Sequence, residues 1–168
     1  MEFNFQEQLL VGQIGEDVID SHLLNKYGMK AEKVSPELDQ LGVDRIIRGG
    51  LGTTWSAEYK TDFVAGKTHN AFIETVSVDS SNKLGWSRTS IAQWILYYVP
   101  PDGLLYFLET TEVKKKIDEW CSKYRIAKAQ NSGYFSHGVI VPLAELEAIS
   151  FMVDSKILVV SEAREIEA

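Results

Sequence analysis

Two runs of alternating apolar and polar residues stand out near the middle of the chain. Val43, Arg45 and Ile47 alternate with Asp44, Ile46 and Arg48, and Trp55, Ala57 and Tyr59 alternate with Ser56, Glu58 and Lys60. A period of two is the mark of a strand. Gly49-Gly50-Leu51-Gly52-Thr53 lies between the runs, and its glycines supply the positive φ that a short hairpin loop needs. A loop of these residues sets Arg48 opposite Thr54, Ile46 opposite Ser56 and Asp44 opposite Glu58. Slipping the register by one residue would send Asp44 to the other face.

Helical spacing governs the amino-terminal part. Phe5 to Tyr27 predicts one long helix, closed by Gly28 as a left-handed cap. At 100° per residue Phe5, Leu9, Gly12, Ile19, Leu23 and Tyr27 fall within roughly 60° of Glu16. An acid in the middle of an apolar stripe is costly unless it is paired or metal-linked, or reaches water at the rim. Gly12 and Gly15 would let another backbone approach beside it. Met29 to Gln40 is a connection with a short strand near Ala31 to Val34, and Asp62 to Asn70 is a loop.

Ala71 to Val78 is a third strand, on which Phe72, Glu74, Val76 and Val78 share a face that Glu74 interrupts. Trp94 to Val99 and Leu104 to Leu108 flank Pro100-Pro101-Asp102-Gly103, a turn signal, and make a second hairpin. Thr110 or Thr111 caps a helix running to about Ala129. Asn131-Ser132-Gly133 marks a loop, Val139 to Val141 a short strand, and Pro142 starts a helix from Leu143 to about Met152. The acidic tail SEAREIEA is peripheral.

Candidate chemistry gathers on the central hairpin. Opposed residues have Cβ atoms about 4.5–5.5 Å apart, and like charges facing each other destabilise a sheet. A hard divalent cation removes the conflict between Asp44 and Glu58. Mg²⁺ is commonly bound by one or two carboxylates completed by water and phosphate oxygens. Lys60 shares the face of Glu58 and could contact a scissile phosphate or position the attacking water. The competing reading is a solvated hairpin face with ordinary charges. Asp39 is a rival for Asp44, but it precedes the apolar alternation. Glu74 is a further candidate site residue.

The arrangement Asp44, then Glu58-Tyr59-Lys60, resembles the PD-(D/E)XK nuclease superfamily, with Val43 where the proline of the name would stand. Gly12-Gln13-Ile14-Gly15-Glu16 resembles the first helix of archaeal Holliday-junction-resolvase-like members, whose glutamate joins the metal site. Gly85-Trp86-Ser87-Arg88-Thr89-Ser90 is similar to a segment of bacterial and phage relatives, although many of those carry an acid near Gln93. The resemblance covers roughly the first 100 residues. It implies a restriction-endonuclease-like α/β fold, with a mixed sheet of four or five strands flanked by helices in a single domain. It also implies Mg²⁺-dependent hydrolysis of DNA, with Mn²⁺ as a substitute. Asp44, Glu58 and Glu16 would bind metal, the backbone carbonyl of Tyr59 would be a further ligand, and Lys60 would orient water or stabilise charge. A branched substrate would require two sites and hence a homodimer. The alternative from another class is a catalytically silent nucleic-acid-binding or protein-interaction module on the same fold.

Composition bounds these readings. At 168 residues, 45% of them hydrophobic, the chain can build the core of one domain. No apolar run approaches the roughly 18 residues of a membrane span, and MEFNFQEQ is not a secretory signal. The single cysteine, Cys121, rules out an intramolecular disulfide and fits a reducing cytoplasm. The three histidines are far apart and show no zinc spacing. A net charge of −7 argues against coating nucleic acid by bulk attraction. A nucleic-acid surface must then be local. Lys83, Trp86 and Arg88 form one basic–aromatic candidate. The helix carrying Lys114 and Lys115 forms another, where phosphate contact competes with a plain solvated face.

Overall fold

The computed structural model describes residues 5–157, with side chains from residue 10 onward. The expected contacts of Phe5 and Leu9 and the acidic tail 161–168 lie outside the described residues. The elements run α1 (Phe5–Tyr27), β1 (Lys30–Lys33), α2 (Pro36–Asp39), β2 (Arg45–Arg48), β3 (Thr54–Thr61), α3 (Ala65–Thr68), β4 (Asn70–Val78), β5 (Lys83–Leu84), α4 (Trp86–Thr89), β6 (Trp94–Val99), β7 (Leu104–Glu109), α5 (Thr110–Lys123), β8 (Ile126–Asn131), β9 (Tyr134–Pro142), α6 (Leu143–Ile149) and β10 (Ser150–Asp154). They make an α/β protein with two sheets. One is mixed and six-stranded, in the order β1-β2-β3-β6-β7-β10; the other is antiparallel, in the order β5-β4-β9-β8. The expected single sheet of four or five strands is therefore too small.

The hairpin register holds: Arg45 pairs Ala57, Ile46 pairs Ser56, and Arg48 pairs Thr54. The ladder stops at Arg45, so the expected Asp44–Glu58 pair is not part of it; Asp44, just before β2, donates its N–H to the Ala57 carbonyl at 2.8 Å. β3 runs parallel to β6, with Glu58 beside Ile95 and Lys60 beside Tyr97. Helix α1 ends as expected, at Gly28 with φ +64°. It packs Val18, Ile19 and Leu23 onto Ile47, Ala57 and Tyr59. Burying each large aliphatic side chain here contributes roughly 1.5–3 kcal/mol. Gly15 lets the helix lie close, because a Cβ there would stand 2.0 Å from Thr61 Oγ1. Gly12 has open space around its Cα instead. A second core fills the space between the sheets, α5 and α6, around Trp120, Ile73, Ile95, Val139 and Leu146.

The carboxy-terminal half departs from expectation. Helix α5 stops at Lys123, and 126–131 is a strand that pairs with β9 in a hairpin. Thr110 is no cap: Glu109 holds the cap position and Thr110 is buried in the first turn. Helix α6 ends at Ile149, and the chain turns directly into β10 beside β7. The stretch after Asp62 contains α3, whose Ala65 N–H is accepted by Asp62 Oδ1 at 2.8 Å. On β4 the buried face is Ala71, Ile73 and Thr75. Glu74 therefore interrupts no core face; with Phe72 it lines an open cleft.

Candidate functional site

The cleft holds about 930 Å³. It is lined by Gly42 before β2, by Glu58 and Lys60 on β3 and Asp62 after it, by Phe72 and Glu74 on β4, by Ala129 and Ile140 on β8 and β9, and by Trp86. Glu58 and Lys60 reach it because alternation puts Ala57 and Tyr59 against α1 and leaves their neighbours on the opposite face.

At its floor Lys60 Nζ lies 2.6 Å from Glu58 Oε1. The Glu58 side chain is only 5% exposed, and its second oxygen, Oε2, has no hydrogen-bond partner. A buried polar atom left alone costs about 1–3 kcal/mol, more when charged. Gly42 makes room for that oxygen. It sits at φ +79°, and a Cβ there would stand 2.7 Å from Oε2 and 2.9 Å from Ser90 Cα.

Asp44 flanks this pair. Its Oδ2 accepts the Tyr59 backbone N–H at 2.6 Å. Burial pushes the Asp44 carboxyl up to about 6; Lys60 and the Tyr59 N–H pull it down, and the charges of Glu58 and Glu16 push it up. Burial also opposes the charge of Lys60, but Glu58, Asp44 and Glu74 together outweigh it and hold the ammonium above its ordinary value. Burial raises the Glu74 carboxyl against the pull of Lys60. Lys60 Nζ also lies 5.6 Å from the centre of the Trp86 ring.

The structure thus brings Glu58, Lys60 and Glu74 to one cleft, with Asp44 behind them and close enough for its charge to be felt by Glu58 and Lys60. Glu16 belongs to a different set of contacts. Its Oε2 accepts from Arg45 Nη2 at 2.8 Å, while Arg45 Nε donates to Asp20 at 3.0 Å and Nη1 to the Asp44 carbonyl at 3.0 Å. Arg45 is 3% exposed, so these acids meet its desolvation cost. The acid in the apolar stripe of α1 is therefore explained by a buried arginine. Tyr59 turns its ring to the same side and donates its hydroxyl to Asp20 at 2.9 Å. Among the described residues no group of three or more His, Cys, Asp or Glu side chains is placed to hold a metal ion. The residues that could offer oxygens to a cation here are Glu58, with its unpartnered Oε2, and Asp44. That is the sparse protein contribution hard Mg²⁺ accepts when water and phosphate oxygens complete its shell.

The basic candidates separate in the same way. Lys83 and Trp86 line the cleft. Arg88 is paired with Asp118 at 2.8 Å, Lys114 donates to the Ser90 carbonyl at 2.7 Å, and Lys115 is paired with Glu112 at 2.5 Å. One cleft acid was missed from the sequence, and one basic cleft residue was placed on the wrong element. Asp62 accepts the Tyr97 hydroxyl at 2.5 Å as well as backbone N–H groups of Ala65 and Phe72. Arg125, read as part of a helix, instead precedes β8 and lines the cleft.

No family model, curated protein or solved structure matches this chain. The described residues contain no helix long and apolar enough to cross a membrane.

Proposed function

We propose that this chain is a divalent-metal-dependent nuclease of the PD-(D/E)XK kind, built on a restriction-endonuclease-like arrangement. The observation that carries the reading is the buried Glu58 carboxylate, with one oxygen left without a hydrogen-bond partner and the other against Lys60. A structural acid has no reason to be kept in that state. Asp44 and Glu58 would hold Mg²⁺, which when bound polarises a phosphoryl oxygen and makes water more acidic. Lys60 would orient the attacking water or stabilise negative charge growing on the phosphorus oxygens. Glu74 adds a negative charge that keeps Lys60 protonated. Glu16, committed to Arg45, would act on the site through Asp44 and not as a ligand. A carbonyl contribution from Tyr59 stays within the proposal.

The test is cleavage of linear and branched DNA with Mg²⁺, comparing the parent with Lys60→Ala and Asp44→Asn, each checked for folding by circular dichroism. Parental cutting by both variants would remove the assignment. A branched substrate would add the requirement that the active species is a dimer by sedimentation.

The 2.6 Å Glu58–Lys60 pair, which neutralises itself without any ion, favours a second reading: a silent nucleic-acid-binding or interaction module. Titration separates the two. Mn²⁺ or Mg²⁺ raises the melting temperature of a true site by mass action, and it leaves an inert module where it was.

A further inference from the structure

The charged groups of this protein differ in whether they are already used. The cations of α5 and α4 are committed: Lys115 to Glu112, Lys116 to Glu119, Lys123 to Glu145 and Arg88 to Asp118. Lys83 and Arg125 make no ion pair among the described residues, and both line the cleft. A protein that grips duplex DNA neutralises roughly 6–10 phosphates. With a net charge of −7, these two side chains at the cleft are far short of that.

Size points the same way. Pockets of roughly 300–1,000 Å³ enclose ligands of drug size, which is the scale of a nucleotide or two. One turn of duplex is about 34 Å long and would have to stay outside a cleft of about 930 Å³. Glu58, 3% exposed, is nearly closed to solvent, which suits a thin strand better than an undistorted duplex.

The walls carry aromatic surface as well. Phe72 and Trp86 are both at the cleft, Phe72 half-buried and Trp86 lining its end. Phe72 is seated on Gly138, where a Cβ would stand 2.6 Å from its ring. A ring held on one side and open on the other is a platform for a flat base. Base–aromatic stacking with a cationic groove is how unpaired strands are held.

We propose that the cleft binds an unpaired nucleic-acid strand, with Lys83 and Arg125 on its phosphates and Phe72 and Trp86 against its bases. Delivery of a phosphate to Glu58 and Lys60 rests on the nuclease reading; the binding does not. The measurement is fluorescence anisotropy in EDTA, where no metal-dependent cutting occurs. The probes are a 12-nucleotide DNA strand of mixed sequence, the RNA strand of the same sequence, the blunt DNA duplex, and a DNA strand of equal length whose residues lack bases. The expected result is at least tenfold tighter binding of a single strand than of duplex. Whichever of DNA or RNA binds tighter names the source of the strand. The base-less strand should bind about tenfold more weakly, from lost stacking. Lys83→Ala with Arg125→Ala, both exposed, should lower affinity about tenfold and reduce the slope of log affinity against log salt by about 1.4. Equal or tighter binding of duplex, no loss with the base-less strand, or unchanged affinity in the double variant would each overturn the proposal. Strand binding without cutting in Mg²⁺ would defeat the nuclease reading and leave this one standing. Cutting of duplex without strand preference would do the reverse.

Discussion

Two buried acids, Asp154 and Glu58, show how differently one chain treats the same chemistry. Asp154 is closed on all sides: Oδ1 accepts from Lys26 at 2.6 Å, and Oδ2 from the Tyr27 hydroxyl and His22 Nε2, each at 2.7 Å. Burial would raise its carboxyl, but these three donors outweigh it and hold it below the usual carboxylate range. It ties β10 to α1, and both of its oxygens are engaged. Glu58 is just as buried, yet it has one close partner and a spare oxygen. Its neighbour Asp44 is pushed up to about 6, chiefly by burial. A group kept satisfied serves the fold; a group kept unsatisfied at a cleft floor suits something that arrives.

The contrast predicts opposite consequences of mutation, and the largest falls on the closed acid. Asp154→Ala strips three donors of their acceptor, and breaking a buried ion pair costs about 3–5 kcal/mol. Lys26 can still reach water, so the lower end, about 3 kcal/mol, is expected in urea unfolding. The variant should also lose any cleavage activity only in proportion to the unfolded fraction. A loss under about 1 kcal/mol would show that Asp154 does not anchor β10.

Glu58→Gln should do the reverse. Removing an electrostatic contributor to a transition state costs roughly 10²–10³ in rate. Cleavage in Mg²⁺ should therefore fall at least about 100-fold, and the Mn²⁺-induced rise in melting temperature should vanish. Metal-free stability should change by less than about 1 kcal/mol, because the lost ion pair is offset by relief of the orphaned charge. If Glu58→Gln unfolds as readily as Asp154→Ala, Glu58 is a structural residue and the comparison ends.

A third acid extends the closed class to the surface. Glu145 accepts from Lys123 at 2.7 Å, from the Tyr124 hydroxyl at 2.5 Å and from Trp120 Nε1 at 3.3 Å. Lys123 first, then the two aromatic donors, lowers its carboxyl to about 2, against an ordinary value of 4.5. A depressed acid contributes stability that is full above its unfolded value and is lost as pH falls through the folded one. The parent should therefore lose stability between pH 4.5 and about 2 relative to Glu145→Gln, and the two should differ by a constant amount above about pH 5. Urea midpoints across that range measure it.

Which of these features the sequence could reveal follows from their range. The β2–β3 hairpin was legible because strict alternation and a glycine-rich loop define a local register, although the ladder stops one residue short of the expected Asp44–Glu58 pair. The end of α1 at Gly28 and the β6–β7 hairpin at Pro100–Gly103 are local signals too. The second sheet was not legible as such. Ile126 to Asn131 is built largely of Ala, Lys and Gln, good helix formers, and only pairing with β9 makes it a strand. No glycine or proline separates α6 from β10, so the helical pattern runs on past the true end of the helix. Asp154 and its three partners are brought together across the length of the chain, and nothing nearby in sequence announces them. Glu16 was halfway. Its place in the apolar stripe was visible, and so was Arg45 on the buried alternation with Val43 and Ile47. Joining them as a pair needs α1 laid on β2, which spacing alone does not supply.

The smallest expected effect concerns the cations of α5. Lys115→Ala removes one member of an exposed i,i+3 pair with Glu112, and a pair open to solvent contributes little to stability. Stability should barely shift. Affinity for a single strand should be unchanged, because a lysine already matched by a carboxylate three residues away releases few counterions from a nucleic acid. Lys83→Ala, compared at the same salt, should weaken binding several-fold. The pair of variants thus asks whether position or mere charge decides. If Lys115→Ala weakens binding as much as Lys83→Ala, the nucleic acid lies across the outer face of α5, and the division between committed and uncommitted charges has no functional meaning.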